Sequence, residues 1–145
     1  MKYIYTEKDL DLISWDRIDN FINKIYKEVN NYLIKANLKI KYIVPIMRGG
    51  GVPAIIFSHL FDVIDMLPIQ LKYNYETHNI DKKIGLDYVE NANIDSNECI
   101  LLVEGNHVTG KTANIAVDLI RKKFGDNVKI IYVSVTRDYT YRNSV

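Results

Sequence analysis

One short segment of the chain combines residue types that bind phosphate with a single acid. In "ILLVEGNHVTGKT", residues 100–112, four apolar residues lead into Glu104, then into a turn and a Gly-Lys-Thr sequence. Glycines let the backbone approach an anion closely, and the N–H groups at the start of a helix bind phosphate. Residues 105–112 also match the G-x-x-x-x-G-K-[ST] pattern of nucleotide-binding P-loops. The segment therefore predicts a phosphate site, either a P-loop or another phosphate-binding turn with the same spelling.

A second glycine-rich junction lies upstream of the first. In "VPIMRGGGVPA", residues 44–54, Arg48 and three glycines separate an apolar segment from a predicted helix. Two helix N-termini with the cationic side chains of Arg48 and Lys111 predict a ligand that carries two separated phosphate groups. Glu104 is predicted to bind sugar hydroxyls or a divalent cation at the end of its strand. His107, in the same turn, is a candidate for proton transfer near neutral pH.

Hydrophobic periodicity predicts the elements that position these junctions. We expect strands at 40–47, 98–103 and 128–135, an extended segment at 64–76, a loop at 77–83, and helices after Ser14, at 52–61 and at 112–124. Trp15 follows the helical spacing of Ile18 and Ile22 and is expected in the core. Strands that alternate with helices indicate an α/β fold with a mostly parallel central sheet flanked by helices. In such a sheet, both junctions lie outside the carboxyl ends of the strands, where ligands bind.

Length and composition describe an ordinary globular chain. The 145 residues predict one domain, 1–145, and 48% hydrophobic with 26% charged residues is a usual balance for a soluble protein. A formal net charge of +1 gives no sign of nucleic-acid or membrane binding. The N-terminus lacks the apolar stretch of a signal peptide, and the single cysteine, Cys99, agrees with a reducing compartment. We therefore expect a cytoplasmic protein.

At these residues the chain resembles the type I phosphoribosyltransferases, most closely the bacterial and archaeal branch that uses hypoxanthine, xanthine and guanine. The family signature is an apolar strand, two acids, a short turn and Thr-Gly-x-Thr. Here it reads as "ILLV", Glu104, a break at Gly105, and the sequence from Thr109 to Thr112. "MRGGGVPA" resembles the pyrophosphate-binding loop of the family, and residues 13–25 resemble its N-terminal helix. The likeness runs over nearly the whole chain.

The resemblance implies a Rossmann-like fold and an activity. Such a protein binds 5-phosphoribosyl 1-pyrophosphate with Mg²⁺ on the pyrophosphate, transfers the phosphoribosyl group to a purine or purine-like base, and releases pyrophosphate. The pyrophosphate would be bound by Arg48, Gly49 and Gly50, and the 5-phosphate by Val108, Thr109, Gly110, Lys111 and Thr112. A cis peptide is expected at Arg48–Gly49, and Glu104 is expected to bind the ribose and the metal. Relatives also imply a homodimer or homotetramer.

The resemblance extends to the base and to closure of the site. Arg137 takes the place of a lysine that contacts the base, and residues 72–88 occupy the place of a mobile loop. The closing contacts of that loop would come from Tyr73, Tyr75, Lys82 and Lys83.

Three departures from the family pattern keep alternatives open. Gly105 replaces the second acid, and Val108 stands where many purine relatives carry an aspartate that serves the base. The sequence stops at Val145 without an aromatic C-terminal segment, which predicts a reduced hood over the base. One alternative is a non-catalytic relative that senses a phosphoribosyl ligand or a nucleotide. The other is a small P-loop protein, although a P-loop usually follows the first strand of its domain and residue 105 lies late in this chain.

Overall fold

The computed structural model of the protein describes residues 13–74 and 76–137, which form a sheet with helices on both faces. In chain order the elements are α1 (Trp15–Ala36), β1 (Lys39–Met47), α2 (Gly51–Phe61), β2 (Ile69–Tyr73), β3 (Ile80–Ile84), β4 (Glu98–His107), α3 (Lys111–Phe124) and β5 (Ile130–Arg137). The strand order is β3-β2-β1-β4-β5. Strand β1 pairs in parallel with β2 and β4, and β4 pairs in parallel with β5. The predicted α/β fold with a mostly parallel sheet is confirmed.

Strands β1 and β4 form the centre of the protein because both of their faces are covered. Ile43, Leu101 and Val103 point to the core beneath α1 and α2. Val44 and Leu102 point to the second core, which α3 covers with Ala116 and Ile120. All seven side chains have 8% exposure or less, and this two-sided burial explains why both strands read as continuous apolar runs rather than alternating ones.

Helix α1 begins where the sequence indicated, but its first turn lies outside the core. The Ser14 hydroxyl caps the helix and accepts a hydrogen bond from the Arg17 N–H at 3.2 Å. The fully buried residues of α1 are Ile22, Val29 and Leu33, while Ile18 in the first turn packs only partly against the core. Trp15 is 72% exposed. The expectation that it packs in the core was therefore wrong, because helical periodicity does not show where along its length a helix meets the sheet.

The segment expected to be a loop contains a strand. Residues 80–84 form β3, which pairs antiparallel with β2 and makes a hairpin at one edge of the sheet. Asp81, Lys82 and Lys83 gave this strand the composition of a loop. Charged side chains are common on edge strands because they hinder pairing with other chains. The predicted mobile loop is therefore largely a β-hairpin, although Tyr75 lies outside the described residues.

Cys99 provides a test of the packing around β4. Its side chain is fully buried in the core beneath α1 and α2, and burial raises the pKa of its thiol to about 11. Since the thiolate is the reactive form, we expect a disulfide-exchange reagent at pH 8 to modify the native protein at least about a hundredfold more slowly than the urea-unfolded protein. Equal rates in the two states would show that β4 is accessible to solvent.

Within residues 13–74 and 76–137, none of the helices has the length and apolar character that crossing a bilayer requires.

Candidate functional site

Two glycine-containing turns meet at the carboxyl ends of the central strands. We call Arg48–Gly50 the Arg48 loop, which joins β1 to α2, and Val108–Thr112 the Gly110 turn, which leads from β4 into α3. Because β1 and β4 are parallel neighbours, both turns lie on the same rim of the sheet. A Cβ atom built on Gly49 would lie 3.6 Å from the Cα of Gly105, at the end of β4. The Arg48 loop therefore lies against β4, the strand that leads into the Gly110 turn.

The backbone of the Arg48 loop folds tightly onto the end of β1. The N–H of Gly50 donates to the carbonyl of Ile46 at 2.9 Å, and the N–H of Gly51 donates to the carbonyl of Arg48 at 3.0 Å. The loop contains a cis peptide at Met47–Arg48. The expected position, Arg48–Gly49, was wrong by one residue, because β1 ends at Met47 and the turn begins with the peptide that follows it.

Gly105 has a structural reason to be glycine. A Cβ atom at this position would lie 2.6 Å from the carbonyl oxygen of Gly49 and 3.0 Å from its Cα. Such distances are far inside van der Waals contact. The Arg48 loop thus occupies the space in which the second acid of the family pattern would begin, and the loss of that acid is coupled to the close approach of the loop.

The Gly110 turn presents backbone N–H groups at the start of α3. Gly110 is the N-cap of α3 and has φ 82°, a conformation that L side chains rarely adopt. Neither it nor Gly50, the N-cap of α2, offers a side-chain cap. The Lys111 N–H lies 3.5 Å from the Thr109 hydroxyl, and the Lys111 side chain is exposed. The start of α3 therefore keeps N–H groups for an anion, whereas at the start of α2 the Gly50 and Gly51 N–H groups are bonded within the loop and Pro53 has none.

A chain of three side chains connects β4, β5 and the Gly110 turn. The hydroxyl of Tyr132 donates to the carboxylate of Glu104. The Nδ1 atom of His107 lies 2.8 Å from the same hydroxyl oxygen. On its other side, the imidazole covers Gly110, since a Cβ atom built there would lie 3.3 Å from Cε1 of His107. Glu104 and His107, both predicted from the sequence, are thus connected through a residue that the sequence did not single out.

Burial shifts the pKa values of two of these three side chains, Glu104 and Tyr132. Desolvation raises the pKa of Glu104, while the Tyr132 hydrogen bond and the charge of His107 oppose the shift. Desolvation and the neighbouring Glu104 carboxylate raise the pKa of Tyr132, so its hydroxyl keeps its proton throughout the neutral range. The sequence placed Tyr132 in a mostly apolar predicted strand and indicated no role for it in the site. Only the register of β4 against β5 shows that it reaches Glu104.

The structure does not support a P-loop at residues 105–112. Residues 105–107 belong to β4, and Asn106 and His107 pair with Thr136 and Arg137 of β5. A P-loop needs this part of its pattern as a free loop around the phosphates. The predicted base-binding residue, Arg137, is the exposed last residue of β5 and lies beside His107 in the sheet.

The hairpin of β2 and β3 stands beside the Arg48 loop. Because Gln70 pairs with Met47, the last residues of β2 extend beyond the rim at which β1 ends. Tyr73 contacts His78 at 3.1 Å within the hairpin, and Lys82 lies 3.9 Å from Asp87. Two grooves of about 490 and 620 Å³ lie along α1, and residues 130–134 of β5, which include Tyr132, also line the first of them. The candidate site therefore has the hairpin at one side.

Solved structures match this chain, whereas no protein-family model and no curated protein does. A purine phosphoribosyltransferase from Pyrococcus horikoshii aligns with a TM-score of 0.67 and 19% identity over 86% of this chain and 76% of its own. The xanthine-guanine-hypoxanthine phosphoribosyltransferase of Helicobacter pylori aligns with a TM-score of 0.61 and 19% identity over 88% of this chain and 76% of its own. A hypothetical protein of Neisseria gonorrhoeae with bound ppGpp aligns with a TM-score of 0.65 and 14% identity over 91% of this chain and 89% of its own.

These likenesses define the class of fold. The chain has the type I phosphoribosyltransferase fold, as the sequence resemblance implied. Among the structures that share it, those from Pyrococcus and Helicobacter are enzymes named for purine bases.

Proposed function

We propose that the protein transfers the 5-phosphoribosyl group of 5-phosphoribosyl 1-pyrophosphate to a purine or purine-like base and releases pyrophosphate. One observation carries the proposal. The Arg48 loop and the Gly110 turn follow two adjacent parallel strands on the same rim of the sheet, and Gly49 contacts Gly105 in the strand that leads into the Gly110 turn. A single small molecule with phosphate groups at both ends suits this arrangement.

Each part of the donor has a matching element in the proposed complex. The Arg48 loop and the start of α2 bind the pyrophosphate, with the Arg48 guanidinium supplying positive charge. The Gly110 turn and the start of α3 bind the 5-phosphate, with hydroxyls from Thr109 and Thr112. Glu104 lies between them at the end of β4 and accepts hydrogen bonds from the ribose hydroxyls.

The side chains present suit a Mg²⁺ ion that arrives with the donor. Among the described residues, no group of three or more histidine, cysteine, aspartate or glutamate side chains is placed to hold a metal. Glu104 offers one carboxylate, and Tyr132 already donates to it. Mg²⁺ commonly keeps its waters and binds through one or two carboxylates together with substrate phosphates. Bound in this way, the ion neutralises charge on the departing pyrophosphate.

The protein contributes position and protection in the proposed reaction. Held by both phosphate ends, the ribose presents its C1′ atom to the base, whose placement we assign to Arg137 beside His107. Water must be kept from the reacting carbon, and the β2–β3 hairpin with Tyr73, Lys82 and Lys83 is the element beside the Arg48 loop that can cover it.

Ligand-dependent thermal stability and turnover test the proposal. We expect the donor with Mg²⁺ to raise the unfolding temperature, because a ligand at a hundred times its dissociation constant adds about 2.7 kcal/mol of stability. ATP and GTP should have a much smaller effect. Pyrophosphate release should then appear with at least one of hypoxanthine, guanine, xanthine and adenine.

Paired variants assign the effect to the site. Arg48→Ala and Glu104→Gln should each reduce the stabilisation by the donor. Arg121→Ala and Glu28→Gln are matched controls, since both side chains are exposed on helices away from the two turns. If the two site variants bind the donor as well as the wild type does, the assignment of the site is wrong.

A second candidate function is a non-catalytic sensor of a nucleotide or a phosphoribosyl ligand. Two observations favour it, namely the glycine in place of the second acid and the likeness to the Neisseria protein with bound ppGpp. A sensor would be stabilised by the donor or by ppGpp and would release no pyrophosphate with any of the four bases. Turnover with one base decides for the enzyme.

A further inference from the structure

We infer that Tyr132 is a positioning residue that fixes His107 in its Nδ1-protonated tautomer, so that Nε2 of His107 is a proton acceptor at the Gly110 turn. The tautomer follows from the geometry of the described side chains. The use of Nε2 in catalysis rests on the proposed function.

Counting the protons of Glu104, Tyr132 and His107 leads to this tautomer. A tyrosine hydroxyl has one hydrogen to donate, and an ionised carboxylate can only accept. When the Tyr132 hydrogen is directed to Glu104, the hydroxyl oxygen can only accept from the Nδ1 atom of His107, 2.8 Å away. Nδ1 then carries the single proton of the neutral imidazole, and Nε2 has a lone pair.

The surroundings of Glu104 keep the Tyr132 hydrogen on that side. Among the described residues, the Glu104 carboxylate forms no ion pair with a lysine or arginine, and its hydrogen-bond partner is Tyr132. A half-buried carboxylate in that position depends on the tyrosine for compensation of its charge. The reverse order, a protonated Glu104 donating to Tyr132 and Tyr132 donating to Nδ1, would place the histidine proton on Nε2 instead.

The free edge of the imidazole lies beside Gly110, at the start of α3. A Cβ atom on Gly110 would lie 3.7 Å from Nε2, and no hydrogen-bond donor or acceptor in the described part of the chain contacts this nitrogen. Val108, the residue immediately before Thr109, cannot take up a proton. Beside the turn, the Nε2 atom of His107 is a side-chain nitrogen that can do so.

This placement gives His107 a defined step in the proposed transfer. A ring nitrogen of the base forms a bond to C1′ of the ribose, the C1′–O bond breaks, and pyrophosphate leaves with the electron pair. The proton that this nitrogen loses passes to Nε2 of His107. An Nε2-protonated histidine could not accept it, so Tyr132 acts on the reaction through the proton position on its neighbour.

Nitrogen NMR of the imidazole rings tests the tautomer without any substrate. The full chain, labelled with ¹⁵N, has three histidines, and His107→Gln identifies the signals of His107 by their loss. For the neutral imidazole of His107, we expect Nδ1 to give a pyrrole-type shift and Nε2 a pyridine-type shift. Tyr132→Phe should bring the two shifts toward each other or exchange them. Tyr42→Phe is the matched control, because the Tyr42 hydroxyl contacts a backbone carbonyl of Asn93, remote from His107.

The outcomes separate this inference from the proposed function. A pyrrole-type Nε2 in the wild type, or shifts that Tyr132→Phe leaves unchanged, would overturn the inference even if the protein releases pyrophosphate. The expected shifts without turnover would support the tautomer and count against the enzyme. With turnover, Tyr132→Phe should lower kcat by roughly tenfold or more, and this loss should appear together with the changed nitrogen shifts of His107.

Discussion

Replacing Gly50 with alanine should destabilise the protein by about 3 kcal/mol or more, one of the largest effects a single added methyl group can have. A Cβ atom at Gly50 would lie 2.2 Å from the carbonyl oxygen of Val103 and 2.9 Å from that of Ile46. Both oxygens belong to the central strands β1 and β4, whose side chains are buried on both faces and cannot shift locally. Urea unfolding followed by circular dichroism would measure the loss.

The neighbouring glycine supplies the matched control. At Gly49 an added Cβ atom would meet its first neighbour, Gly105, at 3.6 Å, which is ordinary contact. Gly49→Ala should therefore change the free energy of unfolding by less than about 1 kcal/mol. Equal losses for the two variants would show that the sensitivity belongs to the loop sequence as a whole and not to the approach of Gly50 to the strands.

The sequence was sufficient for elements with strong local signals. Strands β1 and β4 are apolar on both faces, so the hydrophobic pattern identifies them as buried strands. Helix α3 begins after a glycine-containing turn and ends at Gly125, so glycines mark its two ends. Strand β3 was missed because its three central residues are charged and its two apolar residues stand only at its ends. The burial of an edge strand depends on its partner, which local periodicity does not contain.

Some parts of the candidate site could be predicted from neighbouring residues in the sequence, and others only from contacts between distant segments. The two phosphate turns were predictable because each is a strand, a glycine-containing turn and a helix start within a dozen residues. Tyr132 was not predictable, because its role depends on the register that places it beside Leu102 and within reach of Glu104. Nor could the sequence show that β4 continues to His107, which places the first three residues of the apparent P-loop pattern in a strand.

Gly105 has one interpretation in the sequence and another in the structure. In the sequence it reads as the loss of an acid, and thus as a sign of weakened ribose recognition. In the structure it allows the Arg48 loop to lie directly on β4, with the Gly49 carbonyl in the place of a side chain. The absence of the acid and the position of the loop are therefore one feature, and restoring the acid alone should not restore a family-like site.

Gly105→Asp should accordingly weaken donor binding by roughly a hundredfold, the loss that about 1 Å of misplacement can cause at such a site. The added Cβ atom would lie 2.6 Å from the Gly49 carbonyl oxygen, so the Arg48 loop must move away from β4 and take its phosphate-binding groups with it. Gly105→Ala should lose nearly as much, because the clash begins at Cβ and not at the carboxylate. Arg121→Ala serves as the control, since its side chain is exposed on α3 away from both turns. Titration of the donor with Mg²⁺ by calorimetry measures all three variants, and tighter binding by Gly105→Asp than by the wild type would show that the loop yields and that the acid alone was missing.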